Sequence, residues 1–283
     1  MVKIIFDTDI GSDPDDLFAL LLLLRLKKNI ALVVTGDEYD GKRATLARRV
    51  LNLAGKFDTP VVQGPDLGRK KFHADELIKH VSYKIPADPL TAMQKVCKGA
   101  GEIVYLGLQG STNLAHLIRA RPDLKSKLKI YQMAGALGFS RGEGWVEHNI
   151  KVDPESARYV LQSGANITLL QTATTEAGNA YRMHPEHPFY KRLQRSKDPL
   201  ELMLVRHCEL FYEKKQRNTY MGDPLTVACA LGYNFVDFEE KKLRLNRKNQ
   251  LEEGRGKLIR ISGRESRAEQ FMDFMERTIC TGE

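Results

Sequence analysis

The chain has 283 residues, 42% of them hydrophobic, which is enough for one large α/β domain or two small ones. Its formal charge of +8 is spread over short basic runs without a nucleic-acid-binding signature, so we expect solvated basic faces and no nucleic-acid partner. The apolar run over residues 17–24 is shorter than the roughly twenty residues of a membrane span, and the four cysteines lack CxxC spacing. Both features favour a reduced, cytoplasmic protein that does not enter membranes.

Apolar runs with strand character alternate with helical patterns along the chain. "KIIFDT" predicts a buried strand, and "DLFALLLLLRL" predicts the helix after it. Residues 42–54 predict a second helix, Ser111 is a cap candidate for another, and Asp153 with Pro154 would start one more. "EKKLRLN" and "GKLIRISG" predict a hairpin before a final helix from about Arg264. Further strands are predicted at "IALVVTGD", "TPVVQG", "EIVYLGL", "LKIYQMAG" and "ANITLLQT".

Strands that alternate with helices in this way indicate βαβ units. We therefore expect an α/β fold with a mainly parallel central sheet flanked by helices and a small C-terminal hairpin. No internal repeat, low-complexity segment or clear linker divides the chain, so residues 1–283 are expected to form a single domain.

Five aspartates lie within ten residues between the first predicted strand and helix: Asp7, Asp9, Asp13, Asp15 and Asp16. In parallel sheets, ligands bind at the carboxyl ends of the strands, which is where these residues fall. Helix capping accounts for one or two of them, at about 1 kcal/mol each. Gathered carboxylates repel one another unless a cation neutralises them, and oxygen ligands favour Ca²⁺ or Mg²⁺. The sequence therefore predicts a divalent metal site.

Two kinds of chemistry fit this pattern. One is a DxD phosphatase with an aspartyl nucleophile, but that pattern wants Thr or Val where Gly11 stands. The other is metal-activated water, and here "DTDIGSDPDDLFAL" resembles the opening motif of the inosine–uridine nucleoside hydrolase family. Four more segments resemble that family in order: "VVTGDEYDGKRATLARRVLNLAG", "LGLQGSTNLAHLIRARPDLKSKLKIYQMAG", "EHNIKVDPESARYVLQSGANITLL" and "MGDPLTVACAL". The likeness runs from residue 3 to about residue 231.

The resemblance implies a Rossmann-like nucleoside hydrolase fold and hydrolysis of the N-glycosidic bond of a ribonucleoside, giving free base and ribose. It implies Ca²⁺, with Mg²⁺ as the second choice, held by Asp9, Asp16, Asp223 and the backbone carbonyl of Leu108. Asp9 would also take a proton from the attacking water. A homodimer or homotetramer is expected as well.

The resemblance also implies which residues bind the sugar. Asp15, Asp37 and Asn149 would hold ribose hydroxyls, with Glu147 beside them. Several alternatives stay open from the residues themselves. Asp37 and Asp223 each suit a helix cap, Asn149 suits a turn, and Asp13 competes with Asp15 for its role.

Three departures from the family pattern bear on the leaving base. Gly222 stands where the family has a His that protonates a purine, Arg141 stands where it has Asn, and His148 stands where it has Phe. His148 is our candidate for the missing acid, with Tyr220, Tyr212 and His207 as further candidates. Arg141 suits a phosphate or an acidic base, so a nucleotide is an alternative substrate. A catalytically weak ribosyl-binding homologue is the remaining hypothesis.

Overall fold

The chain alternates between strands and helices over most of its length. The computed structural model describes residues 2–99, 101–176 and 178–280. The strands are β1 Lys3–Thr8, β2 Ile30–Thr35, β3 Val61–Val62, β4 Ile103–Gly107, β5 Leu128–Met133, β6 Ile167–Leu170, β7 Arg182–Met183, β8 Thr219–Tyr220, β9 Val236–Leu245, β10 Leu251–Glu253 and β11 Lys257–Ser266. The helices are α1 Asp15–Arg25, α2 Lys42–Leu53, α3 Pro89–Cys97, α4 Thr112–Ala120, α5 His148–Val152, α6 Pro154–Gln162, α7 Thr172–Glu176, α8 Pro188–Gln194, α9 Pro199–Lys215, α10 Gly222–Ala230 and α11 Ala268–Ile279.

Nine of these strands form one sheet in the order β10-β9-β11-β6-β5-β4-β1-β2-β3. The seven strands from β11 to β3 all run parallel. Antiparallel pairing in this sheet is confined to one edge, where β9 pairs with β11 and with β10. The predicted fold class, an α/β domain with a mainly parallel sheet flanked by helices, is confirmed. Because β1 and β4 are central and parallel, the loops after them meet at the same edge of the sheet.

The predicted C-terminal hairpin is confirmed, but its strands are longer than predicted. β9 and β11 do pair antiparallel, but β11 also pairs in parallel with β6, so the hairpin extends the central sheet. The last helix begins at Ala268 because β11 continues to Ser266. Ser111 precedes α4 without a side-chain cap bond, whereas Asp153 caps α6 by accepting a hydrogen bond from the Ser156 amide at 3.0 Å.

Helix α1 is apolar on all its faces and is accordingly buried on all of them. Every residue from Leu17 to Leu23 is at most 1% exposed, and the Phe18 ring meets Phe189 edge-on with 5.8 Å between centroids. β1 is buried over most of its length as well. The aspartate-rich loop is therefore held at both ends by elements of the core. No helix of the described residues is long and apolar enough to cross a membrane.

The burial of α1 leads to a stability prediction. Leu20 is fully buried, and Leu202 on α9 is 44% exposed. We expect Leu20→Ala to lower the free energy of unfolding by about 2–5 kcal/mol, because it removes packed methyl groups and leaves a cavity. Leu202→Ala, the matched control with the same helix propensities, should cost less than about 1 kcal/mol. Urea unfolding of the two variants measures both, and equal losses would contradict the assigned burial.

Candidate active site

A cavity of about 270 Å³ opens at the carboxyl edge of the sheet, where the chain leaves β1, β4 and β5. Residues from distant parts of the sequence converge on it, since the loops after parallel strands share that edge. From the sequence, ten residues have a first-choice role toward the metal, the sugar or the leaving base. Nine of them line the cavity: Asp9, Asp15, Asp16, Leu108, Arg141, Glu147, His148, Asn149 and Asp223. Their functional roles stay predictions, but the structure brings them together.

Three carboxylates form a group on the cavity wall. Asp15, Asp16 and Asp223 each offer an oxygen within 4.8 Å of the others, and Asp16 and Asp223 are buried. Burial, and then the negative charges of neighbouring aspartates, raise the pKa of all three carboxyl groups well above the ordinary value. A divalent cation relieves such repulsion, and its preferred ligands are these oxygens. The donor set therefore fits a metal.

The closest group of carboxylates contains Asp15 in the place where the predicted metal ligands have Asp9. The group of three includes Asp15, which was assigned to ribose, while Asp9 lies beside it in the same cavity. One Asp9 oxygen is 4.0 Å from Nε2 of His148. Asp9, Asp15 and His148 thus share one cavity, and the division of roles between the two aspartates stays a prediction.

Asp13 lines the same cavity but is not one of the group of three carboxylates. It accepts a hydrogen bond from the Thr219 hydroxyl and forms an ion pair of 3.5 Å with Arg217, although burial raises its pKa to about 6. Helix α1 starts after Pro14 without a side-chain cap bond. Asp13 thus connects the aspartate-rich loop to the segment around β8, and Asp15 keeps the position nearest the other carboxylates.

Glu147 and Asn149 fix the geometry of the loops after β4 and β5. Glu147 caps α5 and accepts hydrogen bonds from the backbone amides of Gly135, Asn149 and Ile150 at 2.9–3.1 Å. Asn149 Nδ2 donates to the Met133 carbonyl at 2.8 Å and approaches the Leu108 carbonyl at 3.4 Å. The Leu108 carbonyl thus lies within reach of the Asn149 side chain, and its role as a metal ligand stays a prediction.

The four acid candidates separate by position. His148 and Tyr220 line the cavity, and the His148 side chain is 48% exposed. His207 is fully buried, and burial lowers its pKa to about 3. The Tyr212 hydroxyl donates to the Met183 carbonyl at 3.2 Å. Neither His207 nor Tyr212 lines the cavity, so neither is placed to protonate a bound base.

The pKa of His148 is lowered, because partial burial of its ring against the cavity disfavours the charged form more strongly than Asp9 favours it. His73, which the sequence did not single out, also lines the cavity, and burial lowers its pKa to about 4. Both imidazoles are therefore mostly neutral near pH 7.

Gly222 opens directly onto the cavity. A Cβ atom built there would lie 2.8 Å from Cε of Met133 and 3.8 Å from an Asp15 carboxylate oxygen. A side chain at this position would therefore point into the site, and the flexible end of Met133 would have to move aside.

Arg141 lines the cavity, but Nε of its guanidinium donates to Glu176 at 2.8 Å, and the guanidinium lies over the Trp145 ring. Its charge is thus already paired. A phosphate or an acidic base would have to compete with Glu176 for it.

Asp37 is the one predicted sugar or metal ligand that is not among the residues lining the cavity. It is 2% exposed with φ of +46°, and its Oδ2 is 3.7 Å from a guanidinium nitrogen of Arg43. It does not cap α2, whose N-cap residue is Gly41. Its Oδ1 has no hydrogen-bond partner within the described residues, so its sugar-binding role stays a prediction.

Arg43 is the main structural residue that sequence reasoning missed. Its side chain is fully buried and donates hydrogen bonds to the carbonyls of Asp9, Ile10, Asp37 and Lys71 and to the Ser12 hydroxyl. It thus joins three loops beneath the cavity. A signal was available, because Arg43 falls on the face of the predicted helix that also carries Ala47 and Val50.

Asp7 forms a second hidden support. It is 1% exposed and accepts hydrogen bonds from the Tyr105 hydroxyl, Gln109 Nε2 at 2.8 Å and Asn113 Nδ2 at 2.9 Å. Burial raises its pKa to about 6, against the lowering effect of these donors. Asp7 therefore ties β1 to β4 and α4, and it takes no part in the cavity itself.

The comparisons with known proteins agree with this geometry. The sequence profile of the family described as "Inosine-uridine preferring nucleoside hydrolase" matches residues 4–276, so the chain belongs to that family. A "Pyrimidine-specific ribonucleoside hydrolase RihA" of Salmonella newport (strain SL254) is 28% identical over 252 residues, which cover 82% of this chain and 79% of that protein.

Solved structures share the fold at low identity. A "Plant nucleoside hydrolase - PpNRh1 enzyme" superimposes with a TM-score of 0.84 at 20% identity, covering 99% of both chains. A "Purine-Preferring Ribonucleoside Hydrolase from Gardnerella vaginalis" gives 0.81 at 19% identity and covers 98% of both.

The predicted family and enzyme class are confirmed: the protein is an N-glycosidase that splits ribonucleosides into base and ribose. Its group of three aspartates could hold the metal ion on which this family depends. The phosphatase alternative is left without support.

The bonds of Arg43 generate a prediction. We expect Arg43→Lys to lower the free energy of unfolding by about 3 kcal/mol, because an ammonium group cannot reach all the carbonyls that the guanidinium holds. Arg49→Lys is the matched control on the same helix, since its guanidinium bonds to the Leu77 carbonyl near the surface. That variant should lose less than about 1 kcal/mol. Equal urea midpoints for the two variants would disprove the supporting role of Arg43.

Proposed function

We propose that the protein hydrolyses its ribosyl substrate with Ca²⁺ held by Asp9, Asp16, Asp223 and the Leu108 carbonyl. The observation that carries this is the meeting of four buried or half-buried aspartates in one cavity at the end of β1, with their charges unrelieved. Ca²⁺ suits flexible sets of carboxylate and carbonyl oxygens better than the smaller Mg²⁺ does. When bound, the cation supplies Lewis acidity that makes water a better nucleophile near neutral pH.

Asp9 takes the proton from the attacking water as the water oxygen bonds to C1′ of the ribose. The C1′–N bond breaks, and its electron pair leaves with the base. Positive charge develops on the sugar ring in this step, and the surrounding carboxylates stabilise it. Asp15 and Asn149 hold the ribose hydroxyls, so that C1′ faces Asp9.

The departing base needs a proton, and this site supplies one poorly. Gly222 offers no acid, and His148 is mostly unprotonated near pH 7 because its pKa is lowered. Substrates whose base leaves without much help are therefore favoured over inosine and guanosine. The RihA relatives are named pyrimidine-specific, so pyrimidine ribonucleosides belong beside inosine among the substrates to be compared. The homo-oligomer and the cytoplasmic location implied by the resemblance and composition stay predictions.

Metal binding can be tested directly by calorimetry. We expect Ca²⁺ to bind with one-to-one stoichiometry, and Asp223→Asn and Asp16→Asn to weaken binding by at least tenfold, since each removes a charged ligand. Asp237→Asn is the control, because Asp237 is exposed and pairs with Arg267 at the surface. Unchanged affinity in Asp223→Asn would sink the assignment.

The same titration has a predicted pH dependence. The raised pKa values mean that the carboxyl groups hold protons at higher pH than ordinary aspartates do. Protons and Ca²⁺ then compete, so affinity should fall from pH 7.5 to pH 5.5 and binding should release protons. Proton release is read from the heats in buffers of different ionisation enthalpy. Affinity that is flat over this range would contradict the raised pKa values.

The missing acid gives a kinetic prediction. A nitrophenyl riboside needs little protonation of its leaving group and should be split far faster than inosine. Gly222→His should raise inosine turnover, toward the roughly 10²–10⁴ that a general acid contributes, with little change on the nitrophenyl riboside. Gly222→Ala is the control, because it adds the Cβ that meets Met133 without an imidazole.

Two outcomes would count against this reading. Native hydrolysis of inosine as fast as of the nitrophenyl riboside would mean that another residue supplies the proton. If neither is cleaved with Ca²⁺ bound, the protein is a ribosyl-binding homologue without turnover.

A further inference from the structure

The mouth of the active-site cavity carries a group of lysines that the proposed chemistry does not use. Lys71, Lys151 and Lys215 line the cavity together with the floor carboxylates. We call these three residues the mouth lysines. Two other cations of the lining are paired, Arg217 with Asp13 and Arg141 with Glu176. Within the described residues, no carboxylate lies within ion-pair distance of the mouth lysines.

The mouth lysines are close enough to one another for their charges to interact. Burial lowers the pKa of Lys71, and the positive charges of Arg69, Lys215 and Lys151 lower it further. Lys71, Arg69 and Arg217 also act on His148, whose imidazole lies 4.0 Å from Asp9. The cations therefore act together on the part of the cavity that holds His148, and like charges held near one another favour an anion between them.

The backbone beneath two of these lysines is held firmly. The Lys71 carbonyl accepts hydrogen bonds from Arg43 and from the Ser12 hydroxyl, both at 2.8 Å. The guanidinium of Arg69 donates to the carbonyls of Lys151 and Val152. The segment around residues 69–73 is thus fixed to the aspartate-rich loop on one side and to α5 on the other. Lys215, the last residue of α9, completes the group from a third element.

Ribose geometry indicates what reaches this group. If the 2′- and 3′-hydroxyls face the carboxylates on the floor, the opposite edge of the ring faces the mouth and carries the C5′ substituent outward. A phosphate on C5′ has several anionic oxygens, and each ammonium group offers three donors. An uncharged 5′-hydroxyl would leave all three lysines without an anionic partner.

We propose that Lys71, Lys151 and Lys215 form a phosphate subsite and that the preferred substrates are ribosyl compounds phosphorylated at C5′, such as nucleoside 5′-monophosphates. This rests on the proposed hydrolase function, because it names the substrate of the same site. The reaction is unchanged: water adds to C1′, the C1′–N bond breaks, and the products are the free base and ribose 5-phosphate.

The test compares specificity constants of the Ca²⁺-loaded protein for uridine and uridine 5′-monophosphate, read as released uracil. We expect the nucleotide to be preferred by about tenfold or more. In the triple variant Lys71→Met/Lys151→Met/Lys215→Met, the ratio of nucleotide to nucleoside should fall by at least that factor. Lys129→Met is the control, since Lys129 pairs with Glu102 on the surface, and it should keep the native ratio. An unchanged ratio in the triple variant would overturn the subsite.

Binding without turnover separates this proposal from the proposed function. Ribose 5-phosphate should bind the native protein more tightly than ribose does, by calorimetry in phosphate-free buffer, and the triple variant should lose that difference. If binding behaves so but no base is ever released, the hydrolase proposal fails and the subsite stands. The last compound to be compared is orotidine, which has a carboxylate on the base and no phosphate. Preference for orotidine over uridine 5′-monophosphate would place the anion on the base and overturn the C5′ assignment.

Discussion

The repulsion among buried carboxylates at the end of β1 is the constraint on which the rest of the site depends. Asp15, Asp16 and Asp223 are gathered closely enough that burial and mutual charge raise the pKa of each. An arrangement of this kind is unfavourable on its own, and a protein keeps it only if the surrounding structure enforces it. The same unfavourable charge provides the affinity for a cation. The contacts that hold the carboxylates together therefore also create the metal site.

The enforcement comes from polar contacts beneath the cavity as much as from the apolar core. Helix α1 supplies packing, but the loop before it is held by Arg43, whose guanidinium joins the carbonyls of Asp9 and Lys71. Asp7, two residues before Asp9, is held in a similar way by donors from β4, α4 and the loop between them. A buried arginine with all these acceptors loses little by leaving water, because its hydrogen bonds are replaced. The loop can then hold repelling charges without opening.

The sequence predicted what is encoded locally or by a recurring pattern. The continuous apolar run of α1, the alternation of strands and helices, and the aspartates after β1 each have a physical signature within a few residues. Contacts between distant segments have no such local signature in the sequence. The pairing of β11 with β6, the bonds of Arg43, and the occupation of Arg141 by Glu176 depend on which surfaces meet in three dimensions. The convergence of Lys71, Lys151 and Lys215 is of the same kind, since each lysine alone reads as a solvated surface residue.

The cavity has two charged regions, the buried carboxylates of its floor and the exposed mouth lysines. The floor keeps the carboxylates that the family motif implies, and these serve the sugar, which is common to all ribosyl substrates. Gly222 and His148 lie beside the floor, because a Cβ at Gly222 would be 3.8 Å from an Asp15 oxygen and His148 Nε2 is 4.0 Å from Asp9. The mouth lysines are exposed. Changes at the floor would alter the C1′ chemistry itself, whereas changes at the mouth alter only which compound is presented to it. The electrostatic contrast between a negative floor and a positive mouth also orients an anionic ribosyl compound as it enters, with its sugar hydroxyls toward the cation site and its phosphate outward.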